Sequence, residues 1–556
     1  GYFTVGYTDF DSNPQGIEYK KLITRWRLEP KDEAAYLRGE LVEPKKPITI
    51  YIDPATPKKW VPYLIQGVND WQVAFEKAGF KNAIYALEAP TDDPSWSLED
   101  ARHSAIVYKP SDIPNASGPH INDPRTGEIL ETHINWYHNV MSLLRDWYMI
   151  QAGTIDEAAR KMQLDDELMG QLIRFVSSHE VGHTLGLRHN FGSSHTVPVE
   201  KLRDKAWVEA NGHTPSIMDY ARFNYVAQPE DGITRAGIFP RIGIYDKWSI
   251  EWGYRWLPQF QTPEDEVAFS NQSIIEKQKT DVRYTFGTES DPNDPRNQSE
   301  DLGDDSMLAS LYGIKNLKRI VPQILTWSYE PNKSYAGAGE IYSGVVSQFN
   351  RYLGHVTKNV AGIYSNSITV EQTDEIAREF VPANIQKRAI AFLNEQLFTT
   401  PEWLIDRQLM EKAKILPMNV ICSLQSGVLA RLINKNTLNK MSENEILNGK
   451  KAYTSAQMFN DLKKVIWSNL GQSDIYKRNM QKAYVENLIN LLDKKGNADK
   501  NASGKRPVYS EAPAIAHGQL TELKRLATSA ASMTSGTAKG HYQNLITLID
   551  NALSNK

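Results

Sequence analysis

The most informative segment of the chain reads His179-Glu180-Val181-Gly182-His183-Thr184-Leu185-Gly186-Leu187-Arg188-His189-Asn190. Because an α-helix has 3.6 residues per turn, His179 and His183 project from one helix face and can bind the same metal ion. Gly186 tolerates the positive φ that ends a helix in a sharp turn, and His189 then returns to the ion. The spacing therefore predicts a helix, a turn and a loop that hold three imidazoles around one metal.

The chemistry of this ligand set favours a catalytic site over a structural one. Three neutral imidazoles leave a fourth coordination position open to water, as in catalytic zinc sites. Glu180 lies on the flank of the ligand face, where it can take a proton from that water. We predict one catalytic Zn²⁺ bound by His179, His183 and His189, with Glu180 as general base. The alternatives are a chance surface pattern and a zinc-binding protein without turnover; the intact Glu180 argues against the second.

The pattern His-Glu-x-x-His-x-x-Gly-x-x-His resembles that of the metzincin metallopeptidases, in which a tight turn carrying a methionine lies beneath the zinc. A second segment is similar to that Met-turn and reads Ser216-Ile217-Met218-Asp219-Tyr220. The resemblance implies that Met218 supports the metal site and is not catalytic. It also implies that Tyr220 reaches the zinc or the oxyanion as a catalytic residue, as in metzincins of the astacin and serralysin kind.

Asn190 departs from the residues that follow the third histidine in astacins, serralysins, matrixins and adamalysins. The run His-Asn-Phe-Gly, together with Glu-Trp-Gly-Tyr-Arg at residues 251–255, instead resembles a poorly characterised group of large bacterial zinc-dependent metalloproteases. This resemblance implies an exported protein, periplasmic, outer-surface or secreted, that acts on a protein or peptide substrate. The substrate preferences of the better-known subfamilies are not expected to transfer.

Composition excludes several other classes of protein. The chain of 556 residues is 40% hydrophobic and 23% charged, and its formal charge of -4 does not favour nucleic-acid binding. No apolar run approaches the roughly 18 residues of a membrane span. No basic, apolar leader precedes the first strand, so any targeting segment is expected to be absent or removed. A single cysteine, Cys422, excludes an internal disulfide framework and a cysteine-based zinc site.

Strand and helix patterns alternate ahead of the histidine motif. Residues 48–52, 83–87 and 104–108 are predicted strands, with a helix over 58–78 between the first two, which implies a mixed sheet. Further strands are predicted at 2–7 and 22–28. Helices are expected over 136–151, from about Asp165 into the motif, and over 244–257.

Residues 118–130 read as two extended segments with a turn at 123–127. Metzincins pair an exposed edge strand with an extended peptide substrate, and one of these segments is our candidate for that strand; a mere surface hairpin is the alternative. His120, His133 and His138 have no ligand spacing and are interpreted as structural. His195 and His213 are interpreted as solvent-exposed bystanders.

In the carboxy-terminal half of the chain, apolar residues recur mainly at helical spacing. Amphipathic segments are predicted over residues 308–327, 338–357, 374–397, 402–415, 456–470 and 474–492, with a polar loop over 493–508. Residues 291–305 concentrate carboxylates. A Ca²⁺ site is possible there, but the spacing fits no EF-hand loop, so we favour a solvated or capping loop.

The predicted fold class is α+β, a metzincin-like catalytic domain with a mixed twisted sheet, active-site helix and Met-turn, followed by a mainly α-helical domain. The expected divisions are a β-rich amino-terminal extension (1–45), the zinc protease catalytic domain (46–260), a connecting segment with the acidic loop (261–305) and the helical domain (306–556).

The resemblance implies a zinc-dependent metalloendopeptidase in which Glu180 activates zinc-bound water. A competing hypothesis is a catalytically silent or latent protein that keeps the metzincin shell and acts as a surface or periplasmic binding module through its helical half. Hydrolysis of a non-peptide amide by the same groups is a third hypothesis. No pattern in the sequence predicts an oligomeric state.

Overall fold

The computed structural model describes residues 1–11, 15–289, 291–492 and 509–554. The chain forms two compact units, the first comprising Gly1–Pro292 with Arg296–Lys333 and the second Asn293–Pro295 with Ser334–Lys556. The domain boundaries predicted at residues 45, 260 and 305 all fall inside the first unit, which therefore includes the first helix assigned to the helical half.

The first unit contains the strands β1 (Thr4–Asp9), β2 (Glu18–Ile23), β3 (Ile48–Ile52), β4 (Ile84–Glu88), β5 (Ser104–Lys109), β6 (Ala116–Ser117), β7 (His120–Asn122) and β8 (Ile129–Tyr137). Its helices are α1 (Glu33–Leu37), α2 (Val61–Asn69), α3 (Gln72–Lys77), α4 (Val140–Ala152), α5 (Asp166–Thr184), α6 (Lys205–Asn211), α7 (Arg235–Ile238), α8 (Ile244–Tyr254), α9 (Pro263–Thr280), α10 (Ser306–Ile320) and α11 (Ile324–Trp327).

A six-stranded mixed sheet organises this unit, in the order β4-β3-β5-β8-β6, with β7 also paired to β8. β3 lies parallel to β4 and β5, and β5 lies parallel to β8. Ile48, Ile50 and Ile52 alternate with more exposed residues along β3, so a β-branched face of the strand enters the core. The mixed sheet predicted from the sequence is thus confirmed, and antiparallel β6 and β7 form its edge beside β8.

Two predicted helices have different limits in the structure. The helix expected over 58–78 is interrupted at Asp70 and Trp71, which separate α2 from α3. At this interruption Asp70 binds the Arg174 guanidinium at 2.5 Å, and the Trp71 indole donates to the Ser178 carbonyl at 2.8 Å. The helix expected from residue 136 begins only at Val140, since Trp136 still pairs with Tyr108 in the sheet.

The amino-terminal segment is a hairpin of β1 and β2 that continues onto the sheet. The strand predicted over 22–28 ends earlier, at Ile23, because the following backbone pairs elsewhere. Arg25 donates its N–H to the Gly127 carbonyl at 3.0 Å, and Ile129 donates back to the Arg25 carbonyl at 2.8 Å. The amino-terminal segment therefore packs against the turn that precedes β8.

Helix α5 crosses the unit and carries the histidine motif at its end. It begins after Asp165, as predicted, with Asp166 and Glu167 in its first turn where the helix dipole favours negative charge. Helix α2 packs closely against α5 at Gly67. A Cβ at Gly67 would lie 2.5 Å from the Cβ of Ser177.

Much of the acidic segment is packed against the rest of the first unit. Asp305 caps α10 by accepting from Met307 and Leu308, and Asp304 accepts from the Val199 N–H at 3.1 Å. Asp301 is buried and accepts from the Ser306 hydroxyl at 2.7 Å. The capping interpretation is confirmed for Asp305, and Asp301 is buried, whereas Asp304 is exposed to solvent while it accepts its hydrogen bond.

The second unit contains the strands β9 (Ile363–Ser365) and β10 (Arg378–Phe380) and the helices α12 (Ala336–Thr357), α13 (Ala383–Leu393), α14 (Arg407–Ala413), α15 (Pro417–Leu432), α16 (Lys435–Asn448), α17 (Ser455–Ile466), α18 (Ile475–Leu491), α19 (Ala512–Met533) and α20 (Gly536–Ser554). The mainly helical carboxy-terminal part is thus confirmed.

Two predicted helices of this unit are shorter in the structure. The helix expected from residue 374 begins at Ala383, since β10 pairs with β9. The helix expected over 402–415 is reduced to α14, which ends at Lys414 in a left-handed conformation. The polar loop predicted over 493–508 lies outside the described residues.

Among the described helices, none alone has the length and apolar character to cross a membrane. The bent pair α14 and α15, which meet at 103°, passes such a test together by length and composition.

Candidate metal centre

The end of α5 and the loop after it bring the three histidines together. Their candidate ligand atoms all lie within 4.8 Å of one another, and the Nε2 atoms of His183 and His189 are 3.1 Å apart. Nε2 of His179 is buried without a hydrogen-bond partner in the structure. A buried, unpartnered imidazole nitrogen that converges on two others fits a metal ligand, so the residues present suit Zn²⁺.

The other ring nitrogens of His179 and His183 lie against backbone carbonyls. Nδ1 of His179 lies 2.7 Å from the Ile217 oxygen, and Nδ1 of His183 lies 2.9 Å from the Leu187 oxygen. A proton on each Nδ1 donates to its carbonyl and leaves Nε2 to the metal. Burial lowers the pKa of all three histidines, that of His189 to about 3, so each is in the neutral form that binds metal.

The turn that returns His189 forms as predicted. Gly186 has φ of +87°, and Leu187 donates its N–H to the Gly182 carbonyl at 3.1 Å, which closes the helix end. A Cβ on Gly186 would also lie 2.0 Å from the Thr24 carbonyl oxygen. Glycine is therefore required by both the turn and the neighbouring backbone.

Glu180 faces the edge of the sheet. Its side chain is buried, which raises its pKa to about 7, while a hydrogen bond from the Gly118 N–H favours the charged form. Gly118 joins β6 to β7, and a Cβ there would lie 2.3 Å from the Glu180 carbonyl oxygen. This close approach places the backbone of the edge strand beside the predicted base.

The Met-turn lies under the helix. A Cβ on Gly182 would come within 2.1 Å of the Met218 sulfur, so Met218 packs directly on α5 between two of the histidines. Asp246 holds the turn, because its carboxylate accepts from the Ser216 hydroxyl at 2.6 Å and from the Ile217 N–H at 2.7 Å. Since Ile217 also binds His179, the turn orients one of the three ligands.

Tyr220 lies beside the histidines. Its ring centroid is 4.3 Å from that of His189 and 5.1 Å from that of His179. Burial raises the pKa of the Tyr220 phenol, which keeps it protonated as a hydrogen-bond donor near neutral pH. The Arg222 guanidinium lies 4.2 Å from the same ring.

Two residues of the site were not assigned a role from the sequence. Asn190 is fully buried; its Nδ2 donates to the Thr285 carbonyl at 3.2 Å and its Oδ1 accepts from the Gly287 N–H at 2.8 Å. Gly192 meets Gly287 so closely that a Cβ on Gly192 would lie 2.9 Å from the Gly287 Cα. The sequence shows that Asn190 differs from the residue found there in better-known metzincins. It does not show that Asn190 binds the backbone of residues 285–287.

The additional histidines divide into two groups. His120 donates from Nδ1 to the His183 carbonyl at 3.2 Å, and His133 and His138 contact residues of the sheet, so the structural interpretation fits their contacts. The exposed interpretation of His213 is wrong, because the residue is fully buried and binds the Arg222 carbonyl at 3.1 Å. His195 is partly buried.

A search against protein families finds two matches. A family described as Met-zincin matches residues 161–474, a span that is more than half of the chain and includes the triad, Glu180 and Tyr220. A second, described as Domain of unknown function (DUF5117), matches residues 1–31. No curated protein and no solved structure matches the chain. The histidine spacing, the Met-turn beneath α5 and this match agree that the chain belongs to the Met-zincin family, a metzincin-like family whose name implies zinc.

Proposed function

We propose that the protein is a zinc metalloendopeptidase that hydrolyses peptide bonds with Glu180 as general base. The observation that supports this most directly is the convergence of three neutral histidines within 4.8 Å beside a buried glutamate at the edge of a sheet. Zinc bound there would polarise the substrate carbonyl and lower the pKa of a water.

Glu180 takes a proton from the attacking water and delivers it to the leaving amine. Its carboxylate is oriented for both transfers by the Gly118 N–H. Tyr220 donates its phenol proton in a hydrogen bond to the oxyanion that develops on the substrate, a contribution typically of about 3 kcal/mol for one donor. Burial around both groups excludes competing water and strengthens these interactions.

The substrate backbone pairs with the edge formed by β6 and β7. These strands are held to β8 on one side, through pairs such as Ile121 with Glu131. The Ile121 side chain is 59% exposed, so β7 lies at the protein surface at this residue. Main-chain pairing of this kind binds an extended peptide with little dependence on its sequence. We also propose an exported location, which the resemblance to large bacterial metalloproteases supports.

The test compares wild type with Glu180→Gln and with a control variant, Glu131→Gln. Glu131 is also buried, but it lies on β8 rather than on α5. Zinc content is measured by elemental analysis, and cleavage of a mixed peptide library is read by mass spectrometry. We expect all three proteins to bind one zinc and only Glu180→Gln to lose cleavage. If wild type binds zinc and cuts no peptide, the proposal fails, and a binding role or a non-peptide amide substrate replaces it.

A further inference from the structure

Arg222 has an unusual backbone for its residue type. Its φ is +54°, in the left-handed region that L side chains rarely adopt, and Glu300 shares this feature with φ of +63°. Such conformations persist only where surrounding contacts enforce them, and they concentrate at functional sites. The two residues meet: Nε of Arg222 lies 3.6 Å from Oε1 of Glu300.

The backbone around Arg222 is held from both sides. Buried His213 donates from Nε2 to the Arg222 carbonyl at 3.1 Å. The next residue, Phe223, donates its N–H to Oε1 of Gln151 at 3.0 Å, and Nε2 of the same amide donates to Oε2 of Glu300 at 2.8 Å. The left-handed turn after Tyr220 is therefore enforced by buried side chains.

The guanidinium of Arg222 packs between aromatic rings. Its central carbon lies 4.2 Å from the Tyr220 ring centroid and 3.8 Å from that of Trp147. Only 14% of the Arg222 side chain and 2% of the Glu300 side chain are exposed. Glu300 also donates its own N–H to the Tyr220 carbonyl at 2.8 Å. Glu300 thus binds both the backbone of Tyr220 and the Arg222 guanidinium that contacts the Tyr220 ring.

The geometry points to Arg222 as a positioning residue for Tyr220, with Glu300 and Trp147 holding the guanidinium against the phenol ring. A planar cation on a ring face is attracted by the ring quadrupole and restricts rotation of the ring. This inference rests on the proposed role of Tyr220. Arg222 acts through Tyr220, whose hydroxyl must be held in place for the oxyanion before the reaction begins.

The test is a double-mutant cycle on zinc-loaded protein with a peptide cut by wild type. The variants are Arg222→Met, Arg222→Lys, Tyr220→Phe and the double variant Arg222→Met with Tyr220→Phe. Arg203→Met is the matched control, because Arg203 lies 4.5 Å from the Tyr312 ring and binds a buried carboxylate, Asp231, at 2.6 Å. Zinc content and thermal unfolding are measured for every variant.

We expect Arg222→Met to lower kcat about 10- to 100-fold with KM changed less than about 2-fold, since a displaced group loses rate rather than binding. In the Tyr220→Phe background the same change should alter kcat less than about 2-fold. Arg222→Lys should recover little, because an ammonium cannot stack as a plane. Equal losses in both backgrounds, full recovery by lysine, or unchanged kcat in Arg222→Met would overturn the inference.

A second measurement does not depend on cleavage. 3-Fluorotyrosine placed at position 220 by amber suppression should give one ¹⁹F resonance in wild type and in Arg203→Met, and a broadened or doubled resonance in Arg222→Met. An unchanged resonance in Arg222→Met contradicts the positioning role. If wild type cuts no peptide, the proposed function fails, and the fluorine signal still decides whether Arg222 holds the ring.

Discussion

The carbonyl oxygen of Thr24 lies where a side chain on Gly186 would have to be, 2.0 Å from a Cβ built there. Gly186 is the glycine of the histidine motif, and its φ of +87° already favours glycine. The amino-terminal segment thus imposes a second constraint on the turn that carries His189. The turn at Gly186 and the segment that follows β2 are consequently packed against each other.

Gly186→Ala should therefore be more destabilising than the turn alone explains. Gly232→Ala is the control, because Gly232 has φ of +62° with open space around it. The left-handed conformation costs a non-glycine residue about 1–2 kcal/mol, and overpacking adds about 1–3 kcal/mol. Urea denaturation should show the larger loss only for Gly186→Ala, together with weaker zinc binding. Equal losses for the two variants would show that the Thr24 contact relaxes freely.

Asn190→Ala should loosen the segment that follows α9. The change leaves the Gly287 N–H and the Thr285 carbonyl without their partner, and each unpaired buried group costs about 1–3 kcal/mol. We expect a lower free energy of unfolding and faster limited proteolysis near residues 285–289. Asn190→Asp keeps an acceptor for Gly287 but places a carboxylate against a carbonyl, so it should not restore stability. Wild-type proteolysis in Asn190→Ala would contradict this role.

Asp246 should make stability depend on pH in a direction unusual for a carboxylate. Burial raises the pKa of Asp246 to about 6, above its ordinary value of 3.8. The folded state then binds more protons than the unfolded state between about pH 4 and 6, so this group's contribution to stability falls as pH rises through that window. At about 1.4 kcal/mol per pKa unit, the total change is about 3 kcal/mol.

Asp246→Asn removes this titration while keeping the size of the side chain beneath the Met-turn. The free energy of unfolding of wild type minus that of the variant should fall from pH 4 to 6 and be flat above pH 7. Because the other carboxylates titrate in both proteins, their contributions cancel in this difference between wild type and Asp246→Asn. A difference that rises with pH would show that the hydrogen bonds from Ser216 and Ile217 outweigh burial.

The predicted strands and helices agreed with the structure where the apolar periodicity of a short segment was strong. β3, β4 and β5 were predicted within one or two residues, as was the start of α5, because their side chains alternate or repeat along a short segment. The errors arose where a tertiary contact overrode the local pattern. Trp136 stays in β8, where it pairs with Tyr108, and the long helix is interrupted at Asp70, whose carboxylate binds Arg174.

The candidate site divides in the same way. The three histidines, Glu180 and Gly186 are identifiable because ligand spacing on a helix is a property of neighbouring residues. Arg222 and Glu300 carried no such signal, since their roles depend on each other across the chain. Asn190 could be recognised in the sequence as unusual for a metzincin. Its hydrogen bond with Gly287, 97 residues later, is evident only in the folded structure.

Four features could be predicted from the sequence: three histidines that converge, Glu180 beside them, the glycine turn after α5 and a mixed sheet that includes β3, β4 and β5. These features follow from 3.6-residue and two-residue periods and from the conformational freedom of glycine. Their surroundings could not be predicted: the Thr24 carbonyl lies against Gly186, the Gly118 backbone against Glu180 and the Arg222 guanidinium against the Tyr220 ring. Close packing of distant segments sets those contacts, and no local pattern encodes which segments meet.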